Sequence, residues 1–288
     1  MNEKTTVPKI VIADKAGFCF GVKRAISMAY EQLANSSGKP VYTLGPLVHN
    51  PQVIKKLEND GIKSIEELGA YPIGHLLIRT HGVSPAIRKE AMELGYNITD
   101  ATCPLVKKIH DIVLELQREE YPVLVIGHSS HPEVQGIVGE LEGNCRVAET
   151  VEDARNLQPC HKLGVVVQTT ALWHNFTEIT VELLGKTKEL RIFNSICHAT
   201  MERQAAAEDL AGKVSMMIVI GGRNSSNTRR LLEISLRVNP RSYLVESPEE
   251  VQKDWFADIT SIGLTAGAST PDYIIESVYE KVRQYVES

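Results

Sequence analysis

Short apolar runs recur along the chain, each followed by a cluster of Gly, Pro, Ser, Thr, Asn or His and then by apolar positions at helical spacing. The runs are Ile10–Ala13, Val41–Leu44, Leu76–Ile78, Tyr96–Thr99, Val123–Ile126, Val165–Val167, Leu190–Phe193, Met216–Ile220 and Ser261–Leu264. A short continuous run predicts a strand buried on both faces, and the helical period after it predicts a crossover. Nine such units predict an α/β protein with mostly parallel sheets. Asn35–Pro40 and Leu157–Gly164 read as surface loops.

Cys19, Cys103 and Cys197 follow the first, fourth and seventh runs, 84 and 94 residues apart. That spacing is an internal repeat of order three. It predicts three similar α/β subdomains, 14–103, 104–196 and 197–288, with the N-terminal strand 8–13 joined to the third. The expected arrangement is pseudo-threefold, around a central cavity. Parallel sheets bind ligands beyond the carboxyl ends of their strands, which is where the polar breaks fall.

Composition narrows the partners. The chain has 288 residues, enough for a large core, and a formal net charge of -5. A net negative surface disfavours non-specific binding to nucleic acid or anionic membrane. No apolar run approaches membrane-spanning length, and the opening MNEKTTVPKI has no apolar leader region. The expected location is the cytoplasm. Five cysteines form an odd set, which argues against a disulfide framework and leaves metal binding, catalysis or burial.

No CxxC pair is present, so a local zinc knuckle is excluded. One cysteine at a helix start would read as a small buried hydrophobe. Three, one per repeat, suit an iron-sulfur cluster in which one iron has no protein ligand. Cys145 and Cys160 fall outside the repeat, in loop-like sequence, and read as structural or incidental.

His49 precedes Asn50-Pro51 and His131 precedes Pro132-Glu133, so both are expected at helix caps, and His81 in RTHGVSP shares the pattern. Any one of them would be an ordinary turn residue. Together with Ser225, Ser226, Asn227 and Ser269 at other strand ends they predict an anion site at helix N-termini. Neither GxxxxGK[ST] nor GxGxxG occurs, so the anion is not held as in common nucleotide-binding loops. Glu133, in a first helical turn beside His131, is the candidate general acid, with Thr169 and Thr170 as orienting hydroxyls. Lys23, Arg24, Arg229 and Arg230 read as solvated helix faces.

Two other classes fit part of this pattern. A zinc- or iron-dependent phosphohydrolase would use the histidines as ligands, but HxxxH and HxH spacings with supporting aspartates are missing. A non-catalytic phosphometabolite-binding protein would leave the cysteines incidental.

The motifs AGFCFGVKRAI, GPLVHNPQV, RTHGVSP, ATCPLV, GHSSHPEVQGIVG, VQTT, NSICHATMERQ, GGRNSSNT and AGASTP, in this order between Ile10 and Tyr279, closely resemble the 4-hydroxy-3-methylbut-2-enyl diphosphate reductases, the IspH/LytB family of the non-mevalonate isoprenoid pathway. The resemblance implies one 4Fe-4S cluster on Cys19, Cys103 and Cys197, with an open iron that takes the substrate alcohol. It implies a diphosphate held by His49, His81, His131, Ser225, Ser226, Asn227 and Ser269, and proton delivery by Glu133 and Thr169. The implied reaction is a two-electron reductive dehydroxylation giving isopentenyl and dimethylallyl diphosphate, with ferredoxin or flavodoxin as donor. His198 and Met201-Glu202 depart from the family pattern without touching an implied ligand.

Overall fold

The computed structural model describes residues 7–141 and 143–287. Residues 1–6 of the opening stretch, Glu142 and Ser288, the end of the expected third subdomain, lie outside the described residues. The chain opens with β1 (Lys9–Ile12) and α1 (Phe20–Ala34). Then come β2 (Val41–Leu44), α2 (Pro51–Asn59), β3 (Ile62–Ile65), β4 (His75–Ile78), α3 (Pro85–Glu93), β5 (Asn97–Asp100) and α4 (Pro104–Arg118). The middle holds β6 (Val123–Ile126), α5 (Pro132–Val138), β7 (Cys145–Ala148), α6 (Val151–Arg155), β8 (Cys160–Val167), α7 (Trp173–Leu184), β9 (Thr187–Phe193) and α8 (His198–Ala211). The last stretch holds β10 (Met216–Ile220), α9 (Ser226–Val238), β11 (Ser242–Val245), β12 (Ser261–Ala266) and α10 (Asp272–Glu287).

These strands form three four-stranded sheets, ordered β3-β2-β4-β5, β7-β6-β8-β9 and β11-β10-β12-β1. Every pairing among them is parallel. The α/β class with parallel sheets is therefore as the sequence predicts. The three orders are one topology: each sheet's first strand is flanked by its second and third, with the fourth outside the third. In the last sheet β1 takes the fourth place, its Lys9–Ile12 in register with Ser261–Leu264.

The central strands are legible because their residues are buried on both faces: VYTL of β2, HLLI of β4, VLVI of β6 and MMIVI of β10 are buried throughout. Burying one such apolar side chain is worth roughly 1.5–3 kcal/mol. Helices close the faces with stripes of 3.6-residue period, such as Val106, Ile109, Val113 and Leu116 of α4 and Ile274, Ile275, Val278 and Val282 of α10.

Three strands were not expected from the apolar runs: β3, β7 and β11. Each lies at a sheet edge and is only partly buried; IKSI and CRVA carry no continuous apolar run, and the run in SYLV is only three residues long. The expected loop Leu157–Gly164 is also corrected, since β8 already begins at Cys160. Residues 160–163 run past the end of β6, which meets β8 first at Gly164, and pair only with β9, so polar side chains are tolerated there.

The chain separates into two compact units. The larger, Gly21–Val48 with Ile54–Cys197, contains the first two sheets; the smaller contains the chain up to Phe20, His49–Val53 and the chain from His198 onward, with the third sheet. Among the described residues no helix is long and apolar enough to cross a membrane.

Candidate functional site

All three repeat cysteines sit one residue before a helix: Cys19 before α1, Cys103 before α4 and Cys197 before α8. Each has its backbone N–H bonded to a carbonyl in the loop after the neighbouring strand. Cys103 donates to Thr80 beyond β4 (3.0 Å), Cys197 to Thr169 beyond β8 (3.0 Å) and Cys19 to Ala268 beyond β12 (3.1 Å). The repeat thus fixes each thiol by the same backbone device, at the carboxyl end of its sheet. All three are half-buried and free of disulfides.

In the larger unit, six expected site residues form one connected chain of contacts. Thr80, which takes the N–H of Cys103, is followed by His81, whose ring meets that of His131 edge-on at 5.4 Å. His131 caps α5, its Nδ1 accepting the N–H of Glu133 (3.2 Å). An accepting Nδ1 carries no proton, so this ring has its proton on Nε2. Glu133 is 2% exposed, and its two carboxyl oxygens accept the N–H and the hydroxyl of Thr169, each at 2.7 Å. Burial pushes the Glu133 pKa up, and the two Thr169 bonds only partly oppose that. The carbonyl of Thr169 then takes the N–H of Cys197.

In the smaller unit, the hydroxyl of Ser269 donates to the His49 carbonyl (3.1 Å). Gly222 passes so close to that carbonyl that a Cβ would lie 2.6 Å from it, which is why the loop after β10 needs glycine there. Ser225 donates its N–H to the Gly222 carbonyl and caps α9, its Oγ accepting the N–H of Thr228. Ser226 and Asn227 form the first turn and are buried. Both polar atoms of the Asn227 amide are buried with no hydrogen-bond partner among the described residues, as expected of a group that binds a ligand at a helix N-terminus.

The structure corrects two capping expectations. The cap of α2 is Asn50, whose Oδ1 accepts from Gln52 and Val53 (both 3.1 Å), with His49 one residue earlier. The cap of α3 is Ser84, three residues after His81. A short side-chain oxygen reaches the first-turn N–H groups better than an imidazole. Of the two glycines that flank Cys19, Gly17 has φ +92° and makes the turn, whereas Gly21 lies inside α1. Arg24 is no solvated helix residue: its guanidinium donates to the carbonyl of Thr102 (3.1 Å), beside Cys103.

Sequence reading missed several supports. Arg203, 3% exposed on α8, donates to the Gly17 carbonyl (3.0 Å) in the Cys19 loop. Its signal was a cation on the buried stripe of a helix. Asp100 accepts from the backbone N–H of Thr102 just before Cys103, and Asn194 does the same for Ile196 just before Cys197. His110, given no role, has its Nδ1 2.7 Å from Glu140. Cys145 and Cys160 start β7 and β8 instead of lying in loops, at the opposite ends of the strands from the site, and burial pushes the Cys145 thiol up to about 11.

The model of the family described as LytB protein matches residues 10–283. The chain is 44% identical to 4-hydroxy-3-methylbut-2-enyl diphosphate reductase of Geobacter metallireducens, covering 96% of this chain and 97% of that one. It is 43% identical to the reductase of that name from Aquifex aeolicus, over 96% and 97%. A solved E-1-hydroxy-2-methyl-but-2-enyl-4-diphosphate reductase from Plasmodium falciparum superposes with a TM-score of 0.91 at 34% identity, over 95% of this chain and 87% of that one. A solved (E)-4-hydroxy-3-methyl-but-2-enyl diphosphate reductase gives 0.71 at 43% identity, over 96% and 99%. With one topology repeated three times and the motif order intact from end to end, the chain belongs to the LytB protein family.

Proposed function

We propose that this chain reduces 4-hydroxy-3-methylbut-2-enyl diphosphate to isopentenyl and dimethylallyl diphosphate, as a cytoplasmic enzyme supplied with electrons by a ferredoxin or flavodoxin. The observation that carries the reading is the buried Glu133–Thr169 pair bonded through the Thr169 carbonyl to Cys197. It puts a carboxylic acid of raised pKa one residue's reach from a candidate metal ligand.

The donor set fits a 4Fe-4S cluster. Cys19, Cys103 and Cys197 are thiols outside any disulfide, each one residue before a helix, and three ligands leave one iron open. When bound, that cluster supplies the electrons and the Lewis acidity that weakens an allylic carbon–oxygen bond. Overall the alcohol, two electrons and two protons give the hydrocarbon and water.

The chain's own residues do the rest. His49, His81, His131, Ser225, Ser226, Asn227 and Ser269 bind the diphosphate, whose binding energy fixes the distant hydroxyl for reaction. The N–H on His131 Nε2 is a donor of the right kind. Glu133, whose acid form is favoured by burial, delivers the proton with which the hydroxyl leaves as water. The Thr169 hydroxyl can turn from donor to acceptor, so it orients Glu133 in either protonation state.

The test is anaerobic turnover with a low-potential artificial donor, with both products resolved by chromatography. Formation of the two isomeric diphosphates with one water released supports the reading. Release of inorganic phosphate instead would show a phosphohydrolase and overturn it.

A further inference from the structure

Beyond the candidate ligands, the smaller unit buries a polar group that no hydrogen bond explains. Thr228 follows Asn227 in the first turn of α9 and is fully buried, and its hydroxyl has no hydrogen-bond partner among the described residues. An unpaired buried hydroxyl costs stability, so its place in the fold has another reason. Its surroundings supply one. β10 and β12 are paired neighbours that end side by side at Ile220 and Ala266, and a glycine follows each. A Cβ on Gly267 would lie 2.1 Å from Thr228 Oγ1, and one on Gly221 would lie 2.8 Å from that oxygen and 2.6 Å from Thr270 Oγ1. The Thr228 hydroxyl therefore fills a notch that two absent side chains leave at the carboxyl ends of the central strands.

Those strand ends start the two loops that carry Ser225 and Ser269. Thr228 is tied to the first, since its N–H donates to Ser225 Oγ (3.3 Å). The second is tied to β10 by Thr270, beside Ser269: the Thr270 hydroxyl donates to the Ile220 carbonyl (3.0 Å). We propose that Thr228 is a positioning residue for diphosphate binding. Wedged between Gly221 and Gly267, it sets the spacing of the 225–227 turn from the Ser269 loop. This rests on the reading of those residues as diphosphate ligands.

The wedge works by volume. An oxygen is smaller than a methyl group, so threonine and serine both seat it, whereas alanine leaves the notch empty and the two loops less well fixed. A methyl group on residue 267 takes the same place from the other side. Against Thr228 it clashes; against alanine at 228 it meets only the remaining Cβ, at 3.3 Å. The two changes, each harmful alone, are thus expected to compensate.

Calorimetric titration of the full-length, cluster-loaded protein with inorganic diphosphate tests this, together with steady-state turnover of 4-hydroxy-3-methylbut-2-enyl diphosphate. Gly267→Ala is expected to weaken diphosphate binding at least tenfold and Thr228→Ala at least threefold, while the double variant binds no more weakly than Thr228→Ala alone. Independent structural damage would add instead of cancelling. Thr228→Ala should raise KM at least threefold with a smaller effect on kcat, and Thr228→Ser should restore most of the lost affinity. Undiminished binding in Gly267→Ala, a double variant weaker than either single one, or a Thr228→Ala variant that lowers kcat at unchanged KM would overturn the proposal. Should Gly267→Ala fail to fold, equal binding by Thr228→Ala and the unaltered protein overturns it. No diphosphate binding by the unaltered protein would instead overturn the reading of the ligands, and the proposal with it.

Discussion

Thr169 holds both oxygens of Glu133, its backbone N–H on one and its hydroxyl on the other, each at 2.7 Å. The two bonds favour the carboxylate, while burial at 2% exposure favours the acid. Burial is the larger influence, so the Glu133 pKa is raised and its acid form persists upward in pH, which is what the proposed proton-delivery role needs.

Glu133→Gln tests that role directly. The unaltered protein is expected to keep the infrared C=O stretch of a protonated, buried carboxyl at a pH where an ordinary glutamate is already ionised, and the variant to lack it. Turnover in the variant should fall by about 10²–10⁴, the usual contribution of a positioned acid, with substrate affinity kept. Near-normal turnover would remove Glu133 from the proton path.

Thr169→Val takes away the hydroxyl but keeps the backbone bond. Because both Thr169 bonds lower the Glu133 pKa, losing one raises it further. The high-pH decline in activity, where the acid loses its proton, should therefore move to higher pH, and maximal turnover should fall for want of orientation. A shift to lower pH would contradict the assignment.

Arg203→Met removes the donor that ties the Gly17 carbonyl in the Cys19 loop. A hydrogen bond from a charged group is worth about 1.5–3 kcal/mol, so a matching loss of stability is expected by denaturant titration. Iron content should fall with it. Arg203→Lys should not fully rescue iron content, since an ammonium does not reproduce the guanidinium fork that also donates to Ala199. Full iron content in Arg203→Met would show that the Cys19 loop holds without it.

Asp100 sets up the turn before Cys103. Burial alone would raise its pKa, but Arg88, Lys107 and Thr102 all bond it and hold it well below the usual carboxylate range. A lowered folded pKa gives stability that is present above the unfolded value, about 3.9, and is lost as pH falls through the folded value. Asp100→Asn should thus cost about 1–3 kcal/mol at pH 7, with the gap to the unaltered protein narrowing once pH drops below about 4. An equal gap at pH 7 and pH 3 would refute the linkage.

Much of this was legible in the sequence because parallel sheets bury their central strands on both faces. VLVI and MMIVI announce themselves, and the loops after them carry the candidate residues at fixed places. Edge strands such as IKSI and CRVA did not, since half-exposure leaves their composition ordinary. The candidate residues were found through their periodic recurrence. Their supports were not, because Arg203 to Gly17 and Arg24 to Thr102 join positions far apart in sequence. The caps at Asn50 and Ser84 show the limit of a motif: Pro marks the helix start, but which preceding residue caps it depends on side-chain reach.

The central claim is that one cysteine from each repeat holds a single cluster with one open iron. Iron analysis with Mössbauer spectroscopy of anaerobically purified, iron-57-enriched protein tests it most directly. The prediction is about four irons per chain, one spectroscopically distinct and perturbed by substrate, with cluster loss in each of Cys19→Ser, Cys103→Ser and Cys197→Ser but not in Cys145→Ser or Cys160→Ser. Iron-free protein with full turnover, or an intact cluster in any of the first three variants, would contradict it.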